Sequence, residues 1–246
     1  MPDPTAQPKR CTLARKALFL CGCLCLLLSA WMAWAHTDSY HALDAPQGLT
    51  EAGIYLYLPA RSSLQGILVL ANGYNNTDGA LCSAPNWRTF AQKHRLALVE
   101  IAFASPLDEL SQGGHGYYYP QHGSGKLLLD ALDEHVSTDL PIYLFGFSGG
   151  GHFVSRFQAW APQRVAAWAA YAVGWWDEPQ NAADCPPGAI LCGDGDSRFD
   201  ACRNAAQARQ QQGQDILWQP IPDTDHKLTP EVIQAAQKFL EAQLEF

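Results

Sequence analysis

The sequence predicts an α/β fold, a mostly parallel sheet with helices packed on its faces. Three observations carry this expectation. Short, largely apolar runs recur along the chain, and strands of that kind are buried on both faces. Segments with helical apolar spacing alternate with them. A Gly-x-Ser-x-Gly pentapeptide, Gly146-Phe147-Ser148-Gly149-Gly150, falls where one such run gives way to one such segment.

The elements follow in order. Gly53 to Leu58 alternates and stops at Pro59, a strand signal. Ile67 to Ala71 is an apolar run broken by Asn72-Gly73. Asn86 to His94 has helical spacing through Trp87, Phe90 and Ala91, and Leu96 to Ile101 is the next short run. Ser124 to Val136 reads as a helix with Leu127, Leu128, Ala131, Leu132 and His135 along one face. Pro141 introduces Ile142 to Phe145, and Gly149 to Ala161 reads as a helix. Ala166 to Val173 ends in Gly174, and Ala189 to Cys192 ends in Gly193. Asp200 to Gln212 is helical, and Ile216 to Gln219 is a strand ended by Pro220. Thr229 caps a last helix from Pro230, where proline is welcome at the first helical position. No internal repeat or low-complexity linker interrupts this, so residues 36–246 read as one domain. No insertion after residue 174 is long enough for a large lid.

Composition narrows the function classes. The chain has 246 residues, 48% hydrophobic and 16% charged, which excludes a wholly disordered chain. Only one long uncharged apolar run exists, which excludes a multi-span membrane protein. The formal net charge of −8 argues against nucleic acid as partner.

The N-terminus reads as an address. Lys9, Arg10, Arg15 and Lys16 precede 19 uncharged residues, Ala17 to Ala35, which close in Ala33-Trp34-Ala35. That is the layout of a secretory signal peptide over residues 1–35, and it predicts export to a periplasmic or extracellular location. An uncleaved membrane anchor, an ordinary core helix and lipidation at Cys23 are the alternatives, and membrane contact is expected only if the segment stays attached. Cys82, Cys185, Cys192 and Cys202 lie beyond it. Four cysteines in an exported domain suggest two disulfides of open connectivity, and their spacing does not match a zinc site, so no metal is expected.

In open α/β sheets, sites form just past the carboxyl ends of strands. Gly-x-Ser-x-Gly at such a place presents a serine hydroxyl on a tight turn, so Ser148 is the candidate nucleophile. A serine needs a base, because its hydroxyl is protonated at neutral pH. His226, the last of eight histidines, follows the last strand and precedes the final helix, and it is the candidate base. The acid should come from the loop Gly193-Asp194-Gly195-Asp196. Asp196 is the first choice, with Asp194, Asp177 and Glu178 as alternatives. For the oxyanion, the backbone N–H groups of Gly149 and Tyr74 are the expected donors, the second from the loop Asn72 to Asn76. Tyr118, in the run Gly116 to Gly125, and Trp175 are candidate substrate contacts, although aromatic packing under a long loop is an equal reading. No cofactor is called for.

The order Ser148, Asp196, His226 resembles the triad of the α/β-hydrolase superfamily. The stretch Tyr143 to Glu178 (YLFGFSGGGHFVSRFQAWAPQRVAAWAAYAVGWWDE), with Asn86 to Glu100 (NWRTFAQKHRLALVE), is similar to secreted polyhydroxyalkanoate-depolymerase-like and feruloyl-esterase-like esterases. The chain departs from them at Asn72, where His-Gly is usual. The resemblance implies a secreted serine hydrolase acting on carboxylic esters, small or polymeric. A peptidase on the same scaffold and a non-catalytic binding module are the alternatives.

Overall fold

The computed structural model describes residues 36–60, 63–106 and 116–244. The basic cluster, the apolar run and Cys11, Cys21, Cys23 and Cys25 of the proposed leader lie outside the described residues, as does His115.

Eight strands form one sheet: β1 (Thr37–Ala42), β2 (Gly53–Leu58), β3 (Gly66–Ala71), β4 (Leu96–Ile101), β5 (Ile142–Phe147), β6 (Val165–Tyr171), β7 (Gly188–Gly193) and β8 (Ile216–Ile221). Their spatial order is β1-β2-β4-β3-β5-β6-β7-β8. The β1–β2 and β2–β4 pairs are antiparallel, and every pair from β4 to β8 is parallel. The helices are α1 (Ala80–Ser83), α2 (Pro85–His94), α3 (Ser124–His135), α4 (Gly149–Trp160), α5 (Phe199–Gln211) and α6 (Pro230–Ala242). This is the doubly covered, mostly parallel sheet that the apolar runs predict.

Burial explains why those runs were legible. All six residues of β3 are buried, as are all six of β4 and of β7. A strand with no wet face has no polar positions to alternate. Trp87 on α2 is fully buried, with its ring 5.0 Å from Phe145 on β5. Thr229 caps α6 by accepting the Val232 N–H, with Pro230 at the first helical position.

Among the strands and α-helices, β1 and α1 are not expected from the sequence, and both are peripheral. β1 pairs only with β2 and is mostly exposed, so its residues TDSYHA carry little apolar signal. α1 is a single turn. β8 also runs on through Pro220 to Ile221. It is the last strand of the sheet, so the missing N–H of Pro220 faces no partner strand.

The expectation of two disulfides is corrected by the fold. Cys82, Cys185, Cys192 and Cys202 are all free thiols. Cys82 sits on α1 against Leu98 of β4, whereas Cys185 just precedes β7. β4 and β7 are separated by β3, β5 and β6, four inter-strand steps or about 19 Å. No disulfide spans that distance. Cys192 and Cys202 are both fully buried and share a side-chain hydrogen bond.

Chain direction places the site. From β3 the chain passes through α2 to β4 on one side, then crosses back through α3 to β5 on the other. The reversal opens a crevice at the carboxyl ends of β3 and β5. Asn72 follows the first strand and Ser148 the second.

Candidate active site

Ser148 joins β5 directly to α4. Its backbone has φ 52° and ψ −113°, a conformation that costs a non-glycine residue on the order of 1–3 kcal/mol. Neighbouring glycines make the turn possible. A Cβ on Gly146 would collide with the Gly150 carbonyl, and one on Gly150 would collide with the Ala71 and Asn72 carbonyls. The Ser148 N–H is held by the Tyr171 carbonyl at 2.9 Å. The tight turn therefore stands the hydroxyl up at the mouth of the crevice.

Two loops meet that hydroxyl. His226, between β8 and α6, has Nε2 2.9 Å from Ser148 Oγ and Nδ1 2.6 Å from Asp196 Oδ2. Asp196 lies between β7 and α5, and its side chain has no solvent exposure, against 31% for His226. The loops are knitted by backbone bonds from Asp194 N–H to the Ile221 carbonyl and from Gly195 N–H to the Thr224 carbonyl. Tyr171 adds a hydroxyl bond to the Asp225 carbonyl at 2.8 Å. The Phe147 ring packs 5.0 Å from the imidazole.

The other carboxylates lie elsewhere. Asp194 is exposed. Asp177 is exposed and paired with Arg156 at 2.8 Å. Glu178 is exposed in the loop after β6. Burial alone would raise the Asp196 carboxyl. The Arg198 backbone N–H, the His226 ring and the Arg198 guanidinium together outweigh it and hold the group below the usual carboxylate range. His152, one turn past Ser148, does not compete as a base. Burial, then the charges of Arg156 and Arg198, lower it to about 3, and it stays neutral.

The loop after β3 comes alongside. A Cβ built on Gly149 would lie 2.8 Å from the Tyr74 backbone nitrogen, so the Tyr74 backbone is close against Gly149, the residue after Ser148. The loop is anchored on all sides. Tyr74 donates its hydroxyl to the Ser105 and Pro106 carbonyls at 3.2 Å each. Asn75 donates to the Ser105 carbonyl at 2.7 Å and accepts the Ser105 N–H at 2.9 Å. Asn72, where the resembling esterases have histidine, accepts the Gly73 N–H through its side chain at 2.8 Å and lies beside the Glu100 carboxyl. The departure at Asn72 thus leaves the loop with a side-chain support of its own.

Sequence reasoning does not single out Glu100, a buried carboxyl on β4 that accepts the Cys82 N–H at 2.7 Å. Burial is the main cause that raises it, to about 7. A carboxyl raised in the fold contributes stability that is complete below its unfolded value and lost as pH rises through about 7. Glu100→Gln, which cannot ionise, is therefore expected to unfold at higher temperature than the parent at pH 8.5, by about 1–3 kcal/mol of stability. At pH 5 the difference should largely close. Thermal unfolding at the two pH values checks this, and an equal effect at both would contradict it.

The two aromatic candidates separate. Tyr118 is 2% exposed, and its ring lies 5.9 Å from His152. Trp175 is 50% exposed and packs against His152, tilted, with ring centroids 4.0 Å apart. Of the two, only Trp175 offers surface to a ligand. Among the described residues, no cluster of three or more His, Cys, Asp or Glu side chains could hold a metal ion. No described helix is long and apolar enough to cross a membrane.

This arrangement of strands and helices recurs in solved structures. A ferulic acid esterase matches with a TM-score of 0.69 at 13% identity, over 86% of this chain and 98% of that one. The chain has the α/β-hydrolase fold. A bacterial heroin esterase matches with a TM-score of 0.67 at 14% identity, over 92% of this chain and 91% of that one. The S-formylglutathione hydrolase of Staphylococcus aureus matches at 0.64 and 12%, over 87% and 98%. No protein-family model and no curated protein sequence matches the chain.

Proposed function

We propose that the protein is an exported serine hydrolase that cleaves carboxylic esters through Ser148, His226 and Asp196. One observation carries the reading: an unbroken hydrogen-bonded line from Ser148 Oγ through the His226 ring to the buried Asp196 carboxylate. In this mechanism His226 Nε2 takes the hydroxyl proton as Ser148 Oγ attacks the ester carbonyl. Asp196 holds Nδ1–H toward itself and stabilises the imidazolium. The backbone N–H groups of Gly149 and Tyr74 receive the negative charge that develops on the carbonyl oxygen. The imidazolium then protonates the leaving alcohol, and water, activated by the same ring, releases the acid from the acyl-enzyme.

Trp175 is the proposed contact for the substrate, packed against His152 one turn past the nucleophile, with the buried Tyr118 also against His152. The ester preference is supported by the ferulic acid esterase and heroin esterase that share the fold. Steady-state assays of purified protein on p-nitrophenyl esters and on peptide p-nitroanilides test it. Ester turnover with little or no anilide turnover is expected. Faster anilide cleavage would make the protein a peptidase.

Residues 1–35 are proposed as the export signal. Edman sequencing of the native protein is expected to begin at His36. A native chain that starts near Met1 and needs detergent for extraction would replace export with anchoring.

A further inference from the structure

We propose that Arg198 is a positioning residue that acts through Asp196 and sets the pH range in which His226 works as a base. The inference rests on the serine-hydrolase reading above.

The geometry divides the work of the carboxylate between its two oxygens. Oδ2 faces His226 Nδ1 at 2.6 Å. Oδ1 accepts twice from one residue, from the Arg198 backbone N–H at 2.9 Å and from its Nη1 at 3.2 Å. A carboxylate pinned at Oδ1 cannot rotate, so Oδ2 stays aimed at the imidazole. The arginine is placed for this by the chain. It immediately precedes α5, and its side chain folds back over the acid loop. It passes 3.7 Å from where a Cβ on Gly174 would stand, and its charge is felt at His152.

Charge gives the second consequence. The Asp196 side chain has no solvent exposure, and a buried carboxylate is costly unless it is paired. The ionisable groups that face it are His226 from the β8–α6 loop, Arg198 from its own loop, Tyr171 from β6, Cys192 from β7 and Cys202 from α5. Burial pushes the Tyr171 hydroxyl up, and the two thiols share one hydrogen bond. Lys227 and Asp225 flank His226 but are exposed and lie against each other at 3.7 Å. Among the described residues facing the carboxylate, Arg198 is therefore the fixed cation. By sharing Asp196 it opposes the imidazolium that forms when the ring accepts the Ser148 proton.

The effect has a definite sign. Arg198→Met keeps the aliphatic stem and removes the charge, which leaves the imidazolium with the carboxylate to itself. The acid limb of the rate profile should move to higher pH by about one unit. Arg198→Lys restores a cation and should bring the limb most of the way back.

The test is the rate at which a fluorophosphonate modifies Ser148, measured from pH 5 to 9 for the parent, Arg198→Met and Arg198→Lys. In that reaction the Ser148 Oγ–P bond forms, the P–F bond breaks, fluoride leaves and His226 accepts the proton. Arg198→Met should label roughly 5–10-fold more slowly than the parent at pH 6 and within about 3-fold at pH 8.5. A limb that stays in place, or a loss equal at every pH in both variants, would show a merely structural arginine and overturn the proposal. Failure of the parent to label would remove the serine-hydrolase reading and this inference with it. Labelling of the parent without ester turnover would remove only the ester assignment.

Discussion

Ser148→Ala is expected to lose ester turnover by a factor of about 10³ or more, with the fold intact. The argument is chemical and local. Alanine takes away the attacking oxygen but leaves the turn that presented it, because the glycines and the Tyr171 bond that hold the turn are unaffected. The bond lost is one 2.9 Å contact to a histidine that is already 31% exposed, so water can replace the hydroxyl. The stability change should therefore stay within about 1 kcal/mol. Turnover and thermal unfolding of the same preparation check both halves. Near-normal turnover by a folded variant would mean that another residue attacks.

Asp196→Asn carries the second large effect, and Asp194→Asn is its control. An amide at residue 196 can present N–H where the carboxylate accepted one. It then favours the histidine tautomer that directs a hydrogen at Ser148, and it cannot stabilise imidazolium. A loss of about 10³–10⁴ in kcat is expected. Asp194, two residues earlier and exposed, faces neither the histidine nor Arg198, and its amide should cost less than about 2-fold. The Asp196 variant also loses stability at neutral pH. The depressed carboxyl of the parent contributes stability above its unfolded value, and this is lost as pH falls through the folded value, so the difference between the two proteins should close in acid. Comparable losses from both substitutions would contradict the assignment of the acid.

Much of this was legible in the sequence because local pattern and fold agree. The strands from β3 to β7 announce themselves, being buried on both faces with no polar register to confuse the period. The nucleophile turn is written in a pentapeptide whose Gly150 is required by contact with the β3 backbone and whose Gly146 is required by contact with Gly150, and chain order then indicates which histidine and which aspartate to test. What was hidden is what depends on neighbours distant in sequence. β1 has strand conformation only because β2 pairs with it, so its own residues need no apolar face. Glu100 reads as a flaw in an apolar run until the fold sets it under Cys82 and Asn72. Arg198 looks like one surface arginine among several, and its pairing with Asp196 is visible only when the loop turns. The cysteines misled for the same reason. An even count suggests pairing, but connectivity is a statement about space, and Cys82 and Cys185 lie on opposite sides of the central strands.

The central claim is that Ser148 is a nucleophile activated by His226. Its most direct test is to treat the native protein with a fluorophosphonate, digest it and locate the adduct by mass spectrometry. The account predicts a single phosphonyl group on Ser148, absent from Ser148→Ala and formed far more slowly in Asp196→Asn. An adduct on a different residue, or a folded parent protein that takes up none, would contradict it.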